Sequence, residues 1–149
     1  ISQNYGIVSR RETLRPYNVI APAPSGLTEI PIYEFGDNGN YLWWLPLGST
    51  NTWQINLTNV PEPDDSLVAP RLGDYNVTAK FIITQGATAT LPNALQINGV
   101  AQTILWEGGS TPSATVNGYD IIEFDMLYFY DPNDQSRNWT VAGKHTSYS

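Results

Sequence analysis

Residues 119–130, YDIIEFDMLYFY, alternate apolar and polar side chains, and this alternation decides the fold class. Three apolar side chains fall on one side of an extended chain: Ile122, Phe124 and Met126. The two acids between them, Glu123 and Asp125, fall on the other side. Because successive side chains of a β-strand point to opposite faces, this period of two predicts a strand with one packed face and one wet face.

The end of the same stretch carries aromatic residues on both faces. Around Tyr128 and Tyr130 the alternation disappears, and apolar rings occupy consecutive positions. Such an end is either buried on both faces or lies at a contact between subunits, where large aromatic side chains are common. We therefore name Tyr128 and Tyr130 as candidate interface residues.

The same alternation extends toward the N-terminus as far as Pro31. It is clear in WQINLT at 53–58 and in YNVTAKFIIT at 75–84, and turn residues separate the runs at 36–40, 98–99 and 131–136. Seven or eight short strands with turns at such intervals predict an all-β domain over residues 31–149, an antiparallel, jelly-roll-like β-sandwich. The GDNGN segment at 36–40 predicts a tight hairpin between the strands that flank it.

Residues 1–30 differ from the body in composition and charge. They contain prolines at 16, 22 and 24 and no sustained period, which predicts an extended arm. The first 28 residues have a net charge of +2 and the remainder −9. Such an arm either frays or docks on an acidic subunit, including another copy of this chain. The candidate docking residues are Arg10, Arg11, Arg15 and Tyr17.

The whole composition excludes several classes of protein. A chain of 149 residues fits one domain, and the absence of cysteine excludes disulfides and thiolate metal sites. The net charge of −7 argues against a nucleic-acid partner. No apolar run approaches the roughly 18 residues of a membrane span, so no membrane contact is expected.

Candidate catalytic and metal-binding residues are few. The single histidine, His145, lies near the end of the chain and is interpreted as a solvated terminal side chain. Glu123 and Asp125 are the one acid pair with a defined geometry, which leaves a glycan depolymerase as an enzyme hypothesis, but a solvated strand face explains them better. Neither DPND nor GDNGN completes a calcium loop. We therefore predict a non-enzymatic protein without a metal or other cofactor.

The aromatic load suggests contact surfaces instead of chemistry. The adjacent Trp43 and Trp44 cannot face the same side of a strand, so one of them needs a second burial surface. A neighbouring subunit or a sugar ring provides such a surface, and Tyr41 is close enough in sequence to share it. The polar loop at 107–118, entered at Trp106, is a second place where a carbohydrate could bind.

Four short motifs occur in a fixed order along the C-terminal two thirds of the chain. The matching residues are Thr84, Gln85 and Gly86; Trp106, Gly108, Gly109, Ser110 and Pro112; Asp120, Ile121 and Phe124; and Trp139, Val141 and Gly143. This order, T-Q-G, W-x-G-G-[ST]-x-P, D-[IV]-x-x-F and W-x-V-x-G, resembles the C-terminal β-module of tailed-bacteriophage virion proteins of the tail-fibre type. The likeness covers residues 52–149. Three segments of the chain have no counterpart in that family: the first 50 residues, the segment at 60–74 and the hairpin at 131–138.

The resemblance implies a structural role in a virion, assembled in the cytoplasm of the host bacterium. It implies a homo-oligomer, a trimer by analogy, that contacts other virion proteins through its N-terminal arm. A tail fibre or tail-associated appendage is the expected location, and a capsid decoration (cement) protein is the first alternative. A carbohydrate-binding module that recognises a host-surface glycan through Tyr41, Trp43, Trp44 and the 107–118 loop is the second.

Overall fold

The computed structural model describes residues 14–16, 27–36, 41–44, 53–62 and 74–149, and these residues form almost entirely strands and turns. The strands are β1 Leu14–Pro16, β2 Leu27–Pro31, β3 Tyr41–Trp44, β4 Trp53–Thr58, β5 Tyr75–Thr84, β6 Pro92–Ile97, β7 Val100–Gln102, β8 Ile104–Trp106, β9 Tyr119–Asp131 and β10 Ser136–Tyr148. One helical turn, α1, covers Tyr33–Gly36, and a 3₁₀ turn covers Glu107–Gly109. The prediction of an all-β protein is confirmed.

The strands form two sheets, and the first part of the chain alternates between them. The first sheet has the order β1-β3-β5-β9-β10-β8, and the second has the order β2-β4-β6-β7. From β1 to β6 the odd-numbered strands enter the first sheet and the even-numbered strands enter the second. Neighbours within a sheet are therefore two strands apart in sequence and run parallel: β1 with β3, β3 with β5, β2 with β4, and β4 with β6.

The second part of the chain pairs mainly with its own neighbours. The long strand β9 runs antiparallel to β5 and to β10, and β7 runs antiparallel to β6. The edge strand β8 is parallel to β10. Both sheets are thus mixed, and the antiparallel jelly-roll arrangement expected from the sequence is not confirmed. Turn residues show where a chain reverses, but they do not show whether the next strand joins the same sheet or the opposite one.

The prediction of a hairpin at 36–40 is wrong, because the turn residues there do not show which sheet the next strand joins. Residues 33–36 form α1, and the flanking strands β2 and β3 belong to different sheets. Residues 37–40 themselves lie outside the described part of the chain. The other two predicted turns are confirmed. Asn98 and Gly99 join β6 to β7 with φ of 50° and 84°, and residues 131–136 join β9 to β10.

One buried cluster contains side chains from both sheets and gives the molecule its sandwich-like core. Phe81 of β5 lies near its centre, with the ring of Phe35 at 5.3 Å and that of Phe124 at 6.1 Å, both edge to face. The inward faces predicted from the period of two are buried: Ile55 and Leu57; Ala79, Phe81 and Ile83; Ile122, Phe124 and Met126. Burying each large apolar side chain stabilises the fold by about 1.5–3 kcal/mol.

The predicted N-terminal arm overlaps two of the strands. Leu14 is in register with Tyr41 in the first sheet, and Leu27 is in register with Gln54 in the second. The other residues of the range 1–30 lie outside the described residues. Docking of this arm on another subunit therefore remains a prediction.

Candidate functional site

Asp120 has no solvent exposure, and its carboxylate is surrounded by hydrogen-bond donors. Oδ2 accepts from Nε2 of Gln85 at 2.8 Å and from the backbone N–H of Thr115 at 2.9 Å. Oδ1 accepts from the hydroxyl of Thr115 at 2.7 Å and lies 2.7 Å from Nε2 of His145. A buried carboxylate is stable only when donors of this kind replace water. We call Gln85, Thr115, Asp120 and His145 the Asp120 cluster.

Three strands and one loop bring the Asp120 cluster together. Asp120 precedes Ile122 by two positions on β9, so both point into the core. His145 is in register with Ile122 on the neighbouring strand β10, which makes it a diagonal neighbour of Asp120. Gln85 follows directly after β5, the strand on the other side of β9. Thr115 comes from the loop that enters β9.

The hydrogen bonds of the cluster decide the ionisation of Asp120. Burial alone raises the pKa of its carboxyl group, because desolvation disfavours the charged form. The hydrogen bonds from Thr115, His145 and Gln85 act in the opposite direction and prevail, so the pKa lies below its ordinary value of 3.8. Asp120 is therefore a buried anion at neutral pH.

A groove of about 360 Å³ lies beside this cluster. It is lined by residues 89–93, by residues 111–114 and by Trp106, and we call it the Trp106 groove. None of the ten lining residues is charged, and the polar ones carry hydroxyl, amide or indole N–H groups. The predicted polar loop at 107–118 thus forms part of a concave surface. A groove of this size and lining suits a small neutral ligand.

The Asp120 cluster holds both segments that line the groove. The side chain of Gln85 donates to the carbonyl of Thr90 at 2.8 Å and accepts from the N–H of Thr90 at 3.1 Å. Thr115, which follows the second lining segment, donates twice to Asp120. The backbone of the loop is also tied to the end of β5, since the N–H of Asn117 donates to the carbonyl of Gly86 and the N–H of Gln85 donates to the carbonyl of Gly118, each at 2.9 Å.

Trp106, the last residue of β8, packs closely against β9 and β10. Its ring lies 5.9 Å from that of Phe124 and packs over Gly143 of β10. A Cβ atom at position 143 would lie 2.6 Å from Cε3 of Trp106, closer than real contacts allow. Glycine at this position therefore makes room for the indole, which stays half-buried with part of its surface in the groove.

The structure describes the side chains of only some of the residues predicted at interfaces. Tyr128 is half-buried and packs on Trp139, with ring centroids 4.8 Å apart, and Tyr130 is also half-buried. Tyr41, Trp43 and Trp44 form β3, where only their backbone is described. Arg15 lies in β1, in register with Leu42, again with only its backbone described. Arg10, Arg11 and Tyr17 lie outside the described residues.

The acid pair of β9 has partners on the neighbouring strand. Glu123 lies 4.0 Å from Nζ of Lys80, and Asp125 accepts from the hydroxyl of Thr78 at 2.9 Å. Both acids are on the outward face of the first sheet, away from the Trp106 groove. Their contacts are those of a paired strand surface.

The interpretation of His145 as a solvated terminal side chain is wrong. Its side chain is only 16% exposed and contacts the buried Asp120. A signal for this was present in the alternation of β10, because His145 shares its phase with the buried Val141 and Gly143. Asp120 likewise shares its phase with Ile122. Extending the period of two to these polar residues would have placed both on the inward face.

Among the described residues, no group of three or more His, Cys, Asp or Glu side chains could hold a metal ion. The same part of the chain contains no helix with the length and hydrophobicity needed to span a membrane. Comparison of the chain with protein-family models, with curated proteins and with solved structures gives no match.

Proposed function

We propose that the chain is a non-enzymatic structural subunit of a tailed-bacteriophage virion, located in a tail fibre or a tail-associated appendage. The observation that supports this proposal is that the residues of the four motifs contact one another across the fold. A set of motifs that packs together in three dimensions behaves as one structural module. Capsid decoration is the alternative location for the same kind of subunit.

The first contact joins the T-Q-G and D-[IV]-x-x-F motifs. Gln85 of the former donates to Asp120 of the latter at 2.8 Å inside the protein. Gly86 accepts from the backbone of Asn117, three residues before Asp120. The two motifs thus close one polar cluster at the ends of β5 and β9.

The second contact joins the W-x-G-G-[ST]-x-P and W-x-V-x-G motifs. The indole of Trp106 lies over Gly143, and Val141 on the same face of β10 is buried in the core. Phe124 of the third motif packs against Trp106 as well. The motifs therefore provide packing and turns, in accord with a structural subunit.

The outward face of the first sheet supports a function in interfaces. Five large apolar or aromatic side chains on this face are 40–59% exposed: Leu105, Tyr119, Leu127, Phe129 and Tyr148. Exposed side chains of this size favour contacts with other proteins. We propose that copies of the chain associate, as a trimer by analogy with the family it resembles, and that the basic N-terminal arm docks on other virion proteins.

Localisation on particles tests the proposal. Antibodies against the purified chain would be used for immunogold labelling of phage particles from a lysate that contains it. Label on the tail supports the proposal, and label on the head favours the decoration alternative. A chain that is abundant in the lysate but absent from purified particles would refute a virion role. A variant without residues 1–25 should stay folded and lose its place on the particle if the arm docks it.

A further inference from the structure

We propose that the Trp106 groove binds a neutral saccharide. The proposal does not depend on a virion role, because it uses only the lining of the groove and the cluster that supports it. It narrows the carbohydrate alternative, expected at Tyr41, Trp43, Trp44 and the 107–118 loop, to the groove that this loop lines together with residues 89–93.

The lining selects against charged ligands. None of the side chains at 89–93, 106 and 111–114 carries a charge. Binding a phosphate or a carboxylate would require cations or oriented backbone donors, and binding a cation would require carboxylates. Asp120, which holds the segment that follows the lining residues 111–114, has no exposed surface and already accepts four hydrogen bonds. A neutral ligand therefore fits best.

The lining combines one aromatic ring with several small polar groups. Trp106 is half-buried, and its indole Nε1–H has no hydrogen-bond partner within the described part of the chain. This nitrogen is not fully buried. Asn93, Thr111 and Ser113 are exposed at the edge of the groove. A sugar ring has apolar C–H faces that pack on an indole and hydroxyl groups that exchange hydrogen bonds with amides and hydroxyls. This combination matches the lining.

The groove is also formed before a ligand arrives. Gln85 fixes the backbone of Thr90 through two hydrogen bonds, and Asp120 fixes Thr115 through two more. His145 supports Asp120 from β10. A ligand that enters such a groove does not have to order the lining segments, which lowers the entropic cost of weak polar binding.

A proline-rich peptide is the competing occupant, because such peptides dock in aromatic-lined grooves. Those grooves present several aromatic rings, whereas Trp106 is the one aromatic residue among the ten that line this groove. The exposed amide and hydroxyl groups at its edge favour the saccharide.

The experiment uses the full chain on an array of neutral and acidic oligosaccharides, with proline-rich peptides on the same array. Neutral oligosaccharides should bind, and titration calorimetry with the best of them should give a Kd. Asn93→Ala and Ser113→Ala should each weaken that Kd about 3- to 10-fold, the loss of one net hydrogen bond. Asn133→Ala, an equally exposed change in the 131–136 hairpin, should leave it unchanged.

Three results would overturn the proposal. One is the absence of neutral oligosaccharide binding at millimolar ligand while the chain is folded by circular dichroism. Another is preferential binding of acidic glycans or of the proline-rich peptides. The third is saccharide binding that neither Asn93→Ala nor Ser113→Ala weakens, because the ligand would then lie elsewhere. None of these results bears on whether the chain is found on phage particles.

Discussion

The side-chain amide of Gln85 donates one hydrogen bond to the buried carboxylate of Asp120 and another to the carbonyl of Thr90, both at 2.8 Å. It thereby connects the start of β9 to the segment that lines one part of the Trp106 groove. The same carboxylate holds the loop that lines the other part through Thr115. A single buried polar cluster thus supports the core and the groove together.

Removing the carboxylate of Asp120 should strongly destabilise the protein. Asp120→Ala leaves the donors of Gln85 and Thr115 buried without an acceptor, and we expect the free energy of unfolding to fall by about 3–5 kcal/mol. Asp125→Ala is the control on the same strand, because Asp125 accepts one hydrogen bond from Thr78 at a half-buried position. Urea titration followed by tryptophan fluorescence measures both. Equal losses for the two variants would contradict the central position of Asp120.

The lowered pKa of Asp120 predicts a specific acid sensitivity. The pKa in the folded protein lies below the ordinary value of 3.8, so the stabilisation is complete above that value and is lost as the pH falls through the folded pKa. Asp120→Asn should therefore be less stable at neutral pH and lose less stability on acidification. The measurement is the urea midpoint at pH values from 7 down to 3.

A comparison within the same series provides the control. The pKa of Asp134 is also lowered, mainly by the hydroxyl of Ser136, and Asp134 remains in the Asp120→Asn variant. Some loss of stability below about pH 4 should therefore persist in that variant. An unchanged pH dependence after Asp120→Asn would mean that Asp120 does not contribute to acid unfolding.

Gly143 should tolerate no side chain. In Gly143→Ala the new methyl group would lie 2.6 Å from Trp106 and 2.7 Å from Cγ2 of Ile104, and overpacking of this kind costs about 1–3 kcal/mol. Gly86→Ala is the matched control, because nothing lies within 4 Å of a Cβ atom there. Thermal unfolding and near-ultraviolet circular dichroism of the tryptophans report the difference. Equal melting temperatures would show that Trp106 moves away at no cost.

The side chain of Asn98 should stabilise the protein beyond its part in the turn at 98–99. Its side chain accepts from the N–H of Val60 at 3.1 Å and donates to the carbonyl of Val60 at 2.8 Å. Asn117 has a similar positive φ, 56° against 50°, and is the matched control. Asn98→Ala should lower the free energy of unfolding by about 1–3 kcal/mol more than Asn117→Ala. Equal losses in urea titrations would leave only backbone strain as the cause.

The exposed face of the first sheet should mediate association of copies. Phe129 is 40% exposed beside Leu127, so Phe129→Asp should reduce the oligomer mass in sedimentation equilibrium while the melting temperature stays nearly the same. Thr103→Asp places the same charge at another exposed site and should leave the mass unchanged. Oligomers that persist in the Phe129→Asp variant would place the interface elsewhere.

The strands and their inward faces could be predicted because they follow from neighbouring residues alone. In β9, Ile122 and Phe124 are two positions apart, and the pleat of any strand puts such residues on the same side. The Asn98–Gly99 turn could be predicted for a similar reason, since both residues readily adopt positive φ.

The partners of the strands could not be predicted in this way. The segment between β2 and β3 reads as a hairpin, yet these strands enter different sheets. Whether a strand pairs with its predecessor or crosses to the opposite layer depends on how all the strands together bury their apolar faces. The residues of a single turn do not determine how all the strands together bury these faces.

The sequence by itself determined that this is an all-β protein, and it determined the phase that turns Asp120 and His145 inward. The tertiary structure alone decided that these two side chains meet 2.7 Å apart and that Gln85 and Thr115 complete the cluster beside the Trp106 groove. The physical reason is that a buried charge needs several donors at once. Those donors come from positions 85, 115 and 145, and the pairing of β5 and β10 with β9 brings the first and the last of them to Asp120.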